Sequence, residues 1–233
     1  MDRATGVIER ADLRNREYVF RNREHAGETL ASMLMALKGT DAVVLAVPAG
    51  GVPVAIPIAR ELSLRLGCAV VSKMTLPSNT ERGYGAMAFD GTVALNEPLV
   101  QALRMPSDTV QEGISFTREK IGRRMEQLGA AGCSIPPLEQ RWAVLVDDGL
   151  ASGFTMSVAV AAVRKLHPAR LVVAVPTAHA RAADWLASEA DAVYCANIRE
   201  GMSFAVASAY QDWYDVSEAE LLQLLESQQS MTP

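Results

Sequence analysis

The sequence predicts an α/β protein built around an open, mostly parallel sheet flanked by helices. Short valine-rich runs alternate along the chain with segments of helical periodicity, which is the pattern of repeated strand–helix units. The chain has 233 residues, of which 49% are hydrophobic and 21% are charged. That length and composition suffice for one large core, and no shift in composition marks a boundary. We therefore expect residues 1–233 to form a single domain.

Five apolar runs are predicted as the central strands. Each is short, continuous and rich in valine, as expected for parallel strands that helices cover on both faces. The runs are residues 43–47, 69–72, 142–146, 171–175 and 192–195. Because the carboxyl ends of parallel strands meet at one edge of the sheet, the ligand crevice is expected there.

Six segments with apolar residues three and four positions apart are predicted as helices. They are residues 23–37, 52–66, 107–128, 153–166, 178–187 and 217–226. The last begins with Ser217 and Glu220, a capping-box pair that satisfies backbone N–H groups at a helix start. These helices lie between most of the predicted strands and would cover both faces of the sheet.

Residues 75–96 interrupt this alternation. The segment contains Pro77, Gly83, Gly85 and Gly91, and its weak strand signal lies at residues 84–89. Long excursions of this kind often close over a ligand, so a flexible flap is one interpretation. A surface β-hairpin without a role is the other, and the sequence alone leaves both open.

The charge balance argues against one broad class of function. Lysine and arginine number 22, and aspartate and glutamate number 27, for a net charge of −5. A protein that coats DNA or RNA is generally basic, so no nucleic-acid partner is expected. The chain lacks an apolar run of about 18 residues and its N-terminal segment is rich in charge, so we expect no membrane association and a cytoplasmic location.

The cysteines and histidines give no sign of a metal or disulfide site. Cys68, Cys133 and Cys195 lie far apart in the sequence, which fits neither a close-spaced zinc motif nor a paired disulfide framework. We therefore expect three reduced, mostly buried cysteines. The three histidines lack ligand spacing, so no transition-metal site is expected.

The most informative stretch is residues 144–156, which reads VLVDDGLASGFTM. Asp147 and Asp148 follow a buried strand, and adjacent carboxylates resist burial and repel each other unless hydroxyls, donors or a metal ion engage them. The turn from Gly149 to Thr155 then gathers backbone N–H groups, hydroxyls and a helix N-terminus, which suits a phosphate. A phosphate bound beside a diol is one interpretation, and an ordinary helix capped by Ser152 is the other.

This stretch resembles the 5-phosphoribosyl-1-pyrophosphate (PRPP) binding loop of type I phosphoribosyltransferases. That loop has an apolar strand, two acids, three small or apolar residues, Thr or Ser, Gly, any residue and Thr. The lysine of a P-loop and the GxGxxG spacing of dinucleotide-binding folds are absent, which argues against an ATPase or a dehydrogenase. Other segments resemble a branch of predicted phosphoribosyltransferases: residues 20–27, 47–55, 95–97 and 213–214.

The resemblance implies a role for each part of the loop. Asp147 and Asp148 would hold the ribose 2- and 3-hydroxyls. Mg²⁺ would arrive bound to PRPP, and no direct protein ligand is expected for it unless these two carboxylates serve. Gly149 would contribute to PRPP binding, and the 5-phosphate would be held by Ala151, Ser152, Gly153, Phe154 and Thr155. The family also implies a core at about residues 18–200 and a homodimer.

Other segments would bind the pyrophosphate. The pyrophosphate loop would consist of Ala49, Gly50 and Gly51. The branch usually carries an arginine where this chain has Ala49, so a cation is missing where the leaving group gains charge. Lys73 would reach the pyrophosphate from the end of the second predicted strand, or else be a solvated lysine. The flap at residues 75–96 would contribute Glu81, Arg82 and Tyr84, each of which is otherwise a solvated loop residue.

A C-terminal hood at residues 197–215 would cover the acceptor. Phe204 or Tyr210 would stack on its ring, with core packing as the alternative for each. Ala151 stands where hypoxanthine–guanine members carry an aspartate, which disfavours a 6-oxopurine acceptor. Two hypotheses remain: a Mg²⁺-dependent enzyme of nucleotide salvage that transfers 5-phosphoribosyl from PRPP to a nucleobase-like nitrogen and releases pyrophosphate, and a non-catalytic PRPP- or nucleotide-binding regulator, which Ala49 favours.

Overall fold

The computed structural model describes residues 6–76 and 79–229, and at residues 79–82 and 229 the backbone alone. In chain order the strands are β1 Val7–Glu9, β2 Val43–Ala46, β3 Arg65–Cys68, β4 Val71–Leu76, β5 Asn79–Ala88, β6 Val93–Leu95, β7 Trp142–Val146, β8 Arg170–His179 and β9 Ala192–Arg199. The α-helices are α1 Arg23–Met33, α2 Gly51–Leu62, α3 Glu97–Ala102, α4 Ser107–Ala130, α5 Phe154–Arg164, α6 Ala180–Glu189 and α7 Glu218–Gln229.

Within the described residues, six strands form one sheet in the order β1-β9-β8-β7-β2-β3. Every neighbouring pair is parallel, and β2 pairs with β7 from Val43 opposite Ala143 to Ala46 opposite Val146. All four residues of β2 are buried, which explains its continuous apolar sequence. The predicted α/β fold with a parallel sheet is confirmed.

Helices cover the sheet on both faces, and the strand alternation decides which residue meets which layer. Val44 and Val144 lie in a core cluster with α1, α2 and α7. Val43 and Leu145 lie in a second cluster with α5 and α6. Successive residues at the end of β7 therefore face opposite helical layers.

The strand order changes direction between β2 and β7. The chain leaves β2 through α2 to β3 on one side, whereas β7 leads through α5, β8 and α6 to β9 on the other. In open α/β sheets this switch point leaves a crevice at the carboxyl ends of the two strands. The loops that follow β2 and β7 both lie there.

The predicted flap is part of a second, antiparallel sheet in the order β4-β5-β6. Helices α3 and α4 follow it, and Tyr84 is buried beside Met74 of β4 and Val110 of α4. Tyr84 is 2% exposed, so its prediction as a residue that faces the substrate or solvent is wrong. Large aromatic rings are buried where a packed layer is available, as it is here.

The predicted second central strand at residues 69–72 is also wrong. The edge of the parallel sheet is β3, Arg65–Cys68, and the chain turns into β4 of the other sheet at Val71. Helix α2 ends where Ser63 adopts a left-handed conformation with φ of 55°. Leu62 and Leu66 nevertheless keep helical spacing, so the sequence pattern hides both the helix end and the strand. The edge strand β1 is three residues long and was not predicted.

The prediction of three reduced cysteines is wrong for one pair. Cys68 at the end of β3 and Cys133 after α4 are joined by a disulfide, with their Cα atoms 5.5 Å apart. This separation is in the normal range for disulfides, and sequence spacing carries no information about it. Cys195 is free and buried. Among the described residues, no helix is both long enough and apolar enough to span a membrane.

Candidate functional site

The acid pair at the end of β7 forms the centre of the candidate site. The Nε and Nη2 atoms of Arg23 donate hydrogen bonds to Asp148 Oδ2 at 3.0 and 2.9 Å. Arg23 is the first residue of α1, on one face of the sheet. Asp147 Oδ1 accepts a hydrogen bond from the backbone N–H of Asp148 at 2.9 Å. The two carboxylates therefore have different surroundings, as the strand alternation requires.

Burial makes both carboxylates costly to ionise. Burial raises the pKa of Asp147 well above its ordinary value, and the neighbouring charge of Asp148 raises it further. Burial also raises the pKa of Asp148, while the Arg23 guanidinium lowers it. A diol that donates hydrogen bonds, or a divalent cation, would relieve this cost for either group.

The loop from Gly149 to Thr155 is fixed to the neighbouring strand at its centre. The backbone N–H of Leu150 donates to Thr177 O at 2.9 Å, and the N–H of His179 donates to Leu150 O at 3.0 Å. Leu150 is buried, whereas Ala151 and Ser152 are exposed. The loop is thus held by β8 while its next residues face solvent.

Helix α5 begins directly after this loop. Gly153 is its N-cap, with a left-handed φ of 77° that favours glycine. Ser152 Oγ accepts a hydrogen bond from the Phe154 N–H at 3.3 Å, so Ser152 assists the cap from one position before it. The exposed loop and the N-terminus of an 11-residue helix together offer several N–H groups to an anion.

The loop after β2 touches the acid pair. A Cβ atom at Gly50 would lie 2.0 Å from Asp148 Oδ2, and one at Gly51 would lie 2.4 Å from Val146 O. Glycine is therefore required at both positions for the two loops to come this close. Gly50 is also the N-cap of α2, which places Ala49 and Gly50 at a second helix N-terminus beside the carboxylates. The Pro48–Ala49 peptide bond is cis.

Lys73 of β4 lies across a pocket from the start of α5. It is exposed, and its charge lowers the pKa of Asp147. A pocket of about 620 Å³ has Lys73 on one side and the start of α5 on the other. Its wall includes Ser152, Phe154, Thr155 and Trp185. The structure thus brings Lys73 together with the predicted phosphate-binding residues.

The two aromatic residues predicted to stack on an acceptor ring differ in their surroundings. Tyr210 is 1% exposed, donates its hydroxyl to Asp148 O at 2.6 Å and packs between Phe20 and Trp213. It has no ring face for a ligand, so the packing alternative applies and the stacking prediction is wrong for this residue. Phe204 is half-buried and lies edge-on to His179, with ring centroids 5.9 Å apart.

The structure adds Arg23 to the site and leaves two predicted side chains undescribed. Glu81 and Arg82 belong to β5, but their side chains lie outside the described residues, so their predicted roles stay predictions. Arg23 received no role from the sequence, although it lies in residues 20–27, one of the segments that resemble the branch. That resemblance was the available signal, because nothing local links Arg23 to an acid 125 positions away.

The donors present also suit a hard cation. Among the described residues, no group of three or more His, Cys, Asp or Glu is arranged to hold a metal ion. Asp147 and Asp148 supply carboxylate oxygens at the crevice, and Mg²⁺ in phosphate-binding sites usually takes one or two carboxylates and completes its shell with phosphate oxygens and water. The acid pair therefore fits Mg²⁺ that is bound chiefly by a phosphorylated ligand.

Comparison with known proteins agrees with this geometry. The model of the phosphoribosyl transferase domain matches residues 16–212. Two Mycobacterium tuberculosis proteins, from strains CDC 1551 and H37Rv and each named "Putative phosphoribosyl transferase", are 33% identical over 208 residues, which cover 89% of this chain and 46% of each relative. The chain thus spans less than half the length of these relatives. The crystal structure of TT1426 from Thermus thermophilus is 32% identical, with a TM-score of 0.69 over 89% of this chain and 98% of that one. The chain belongs to the phosphoribosyl transferase domain family.

Proposed function

We propose that this protein transfers the 5-phosphoribosyl group from PRPP to a nucleobase-like nitrogen and releases pyrophosphate, in a Mg²⁺-dependent reaction. One observation carries the proposal: a half-buried acid pair and a partly exposed loop at a helix N-terminus adjoin each other at the switch point of the sheet, in a member of the phosphoribosyl transferase domain family. A sugar phosphate presents both a diol, which suits the acid pair, and a phosphate, which suits the loop.

Binding is proposed to use both the loop, for the phosphate, and the acids, for the ribose. The exposed residues Ala151 and Ser152 and the first turn of α5 receive the 5-phosphate, where the helix dipole favours negative charge. The ribose hydroxyls then donate to Asp147 and Asp148. Each hydrogen bond to a charged group contributes about 1.5 to 3 kcal/mol, so the acids and the loop supply most of the affinity.

Catalysis is proposed to rest on charge placed around C1 of the ribose. As the bond to pyrophosphate lengthens, positive charge grows on the sugar ring, and the carboxylates of Asp147 and Asp148 stabilise it more than they stabilise the ground state. The N–H groups of Ala49 and Gly50 and the Lys73 ammonium attract the departing pyrophosphate, whereas the N–H of Gly51 already donates to Val47 O. Asp147 and Asp148 would be the protein groups that hold Mg²⁺ brought in by PRPP, and the ion would supply neutralisation of the leaving charge.

A second function is favoured by Ala49. The loop after β2 has no arginine, and the described cation that lines the pocket beside Ser152, Phe154 and Thr155 is Lys73. A protein with this site can bind PRPP and yet turn it over slowly. The alternative is therefore a non-catalytic PRPP- or nucleotide-binding regulator of the same fold.

One pair of measurements separates these functions. The purified protein is titrated with PRPP and Mg²⁺ by calorimetry, and pyrophosphate release is followed with purine, pyrimidine and pyridine-carboxylate bases. Binding with release under one base supports the enzyme, whereas binding without release under any base supports the regulator. Absence of binding overturns both.

A substitution at Asp148 tests whether this residue binds the ribose. Asp148→Asn is expected to lower PRPP affinity by at least about tenfold, because a neutral amide accepts a weaker hydrogen bond than a carboxylate. Asp191→Asn is the matched control, since Asp191 also pairs with an arginine, Arg164, but precedes β9 at the opposite edge of the sheet. Equal affinity of the Asp148 variant and the wild type would refute the assignment.

A further inference from the structure

Arg23 makes an unusually complete set of contacts for a residue outside the binding loops. Its side chain is 7% exposed, and two of its N–H groups converge on one oxygen, Asp148 Oδ2. A third donor, Nη1, bonds Tyr214 O at 2.8 Å. Among the described residues, none donates a hydrogen bond to Asp148 Oδ1, so that oxygen keeps its lone pairs for a ligand.

The C-terminal segment holds the guanidinium in place. The Trp213 ring centroid lies 4.0 Å from Arg23 Cζ, which is a close stacking contact. Tyr210 also binds Asp148, because its hydroxyl donates a hydrogen bond to the backbone carbonyl oxygen of that residue. Residues 20–27 and 213–214, which the sequence singled out without a role, therefore meet at Asp148.

We propose that Arg23 is a positioning residue that, stacked on Trp213, fixes the Asp148 carboxylate so that one oxygen is held by the protein and the other is presented to a ribose hydroxyl. This inference rests on the proposed function, since it assumes that a sugar phosphate is the ligand. It extends that function to a residue outside the loops that follow β2 and β7.

The geometry requires arginine rather than a generic positive charge. The planar guanidinium gives two donors to one carboxylate oxygen and a third to a carbonyl while its face lies on the indole. A lysine ammonium offers charge but no flat face and no fixed fork of donors. Arg23→Lys is therefore expected to retain the charge and to lose the orientation.

The test measures sugar discrimination rather than affinity alone. Dissociation constants are obtained for ribose 5-phosphate, its 2-deoxy and 3-deoxy analogues, and inorganic phosphate. The wild type is expected to prefer ribose 5-phosphate over at least one analogue by about tenfold, the value of one hydrogen bond to a carboxylate. Arg23→Met is expected to bring that ratio close to one and to leave the affinity for inorganic phosphate unchanged. Arg23→Lys should recover only part of the ratio.

Two further variants control for the loss of an arginine–carboxylate pair elsewhere and for misfolding of Arg23→Met. Arg164→Met is the matched control, because Arg164 also donates to a carboxylate, that of Asp191, and to a backbone carbonyl, that of Glu189. It should keep the wild-type ratio. Trp213→Leu keeps Arg23 but removes the ring that holds it, so it should lower the ratio even if Arg23→Met does not fold.

The outcomes distinguish this inference from the proposed function. A wild type that binds neither PRPP nor ribose 5-phosphate overturns the proposed function, and this role of Arg23 with it. A wild type that binds these ligands without discrimination, or a wild-type ratio in both Arg23→Met and Trp213→Leu, overturns the inference alone. Full recovery of the ratio by Arg23→Lys also overturns it, because charge without orientation would then suffice.

Discussion

Asp147 and Asp148 are neighbours in sequence, yet the free-energy cost of ionising each carboxyl differs in the folded protein. Asp148 has a buried arginine as its partner, whereas the protein contacts that lower the pKa of Asp147 are a backbone N–H and more distant charges. Burial dominates at Asp147 and raises its pKa well above the ordinary value. A site that keeps such a group lowers the stability of the free protein, and a ligand that pairs with the carboxylate would offset that cost.

This cost predicts that Asp147→Asn stabilises the protein while it weakens PRPP binding. A carboxyl whose pKa is higher in the folded than in the unfolded chain loses stability as the pH rises above its unfolded value, near about 3.9. The variant lacks that loss, so it should be more stable at pH 7 by about 1.4 kcal/mol per unit of raised pKa. Urea unfolding at several pH values without divalent cations measures the difference. A gap between variant and wild type that fails to grow with pH would contradict the prediction.

Gly50 illustrates a requirement for space rather than for backbone freedom. Its φ of −60° and ψ of −31° suit any residue, but a Cβ atom would lie 2.0 Å from Asp148 Oδ2. Gly50→Ala should therefore displace the carboxylate and lower PRPP affinity by at least about tenfold in a calorimetric titration. Gly122→Ala is the control, since nothing lies within 4 Å of a Cβ there. Wild-type affinity in Gly50→Ala would show that the two loops separate easily.

Elements whose signals are local could be predicted from the sequence, and those set by distant partners could not. The buried strands β2 and β7 have continuous apolar sequences, and the loop after β7 carries its acids, glycines and hydroxyls within a few residues. By contrast, β3 is defined by its pairing with β2, since its exposed Arg65 and its Gly67 lack a strand signal. Arg23 and Tyr210 likewise acquire their roles from Asp148, far away in the chain.

Helix α4 contains two glycines that should respond in opposite ways to alanine. Gly to Ala in a helix interior normally stabilises by about 0.5 to 1 kcal/mol, and Gly122, with open space around it, should show this gain. At Gly113 a Cβ atom would lie 1.7 Å from the Tyr84 hydroxyl, so Gly113→Ala should destabilise by about 1 to 3 kcal/mol. Chemical denaturation measures both changes.

Removal of the hydroxyl tests the cause of the Gly113 effect. Tyr84→Phe should rescue Gly113→Ala in part, because the next ring atom, Cζ, would lie 3.1 Å from the new Cβ. If the double variant is no more stable than Gly113→Ala, the contact between α4 and β5 is not the source of the loss.

At the scale of the whole molecule, the parallel sheet is interrupted by one long excursion. Between β3 and β7 the chain builds the antiparallel sheet and helices α3 and α4 before it returns to the centre of the main sheet. The disulfide between Cys68 and Cys133 joins the two ends of this excursion. It closes the part of the chain that carries Lys73 and the β4–β5 pair beside the candidate site.

Closure of that segment predicts how much stability the disulfide contributes. The two cysteines are 65 positions apart, and a cross-link across a loop of that length restricts the unfolded chain by about 4 kcal/mol at 25 °C. Reduction with dithiothreitol should therefore lower the free energy of unfolding by up to about 4 kcal/mol. The Cys68→Ala/Cys133→Ala variant is the control and should not respond to the reductant. Equal urea midpoints for the oxidised and reduced wild type would mean that the excursion is held to the main sheet by its packing alone, since β4 and β5 already share a core with α5.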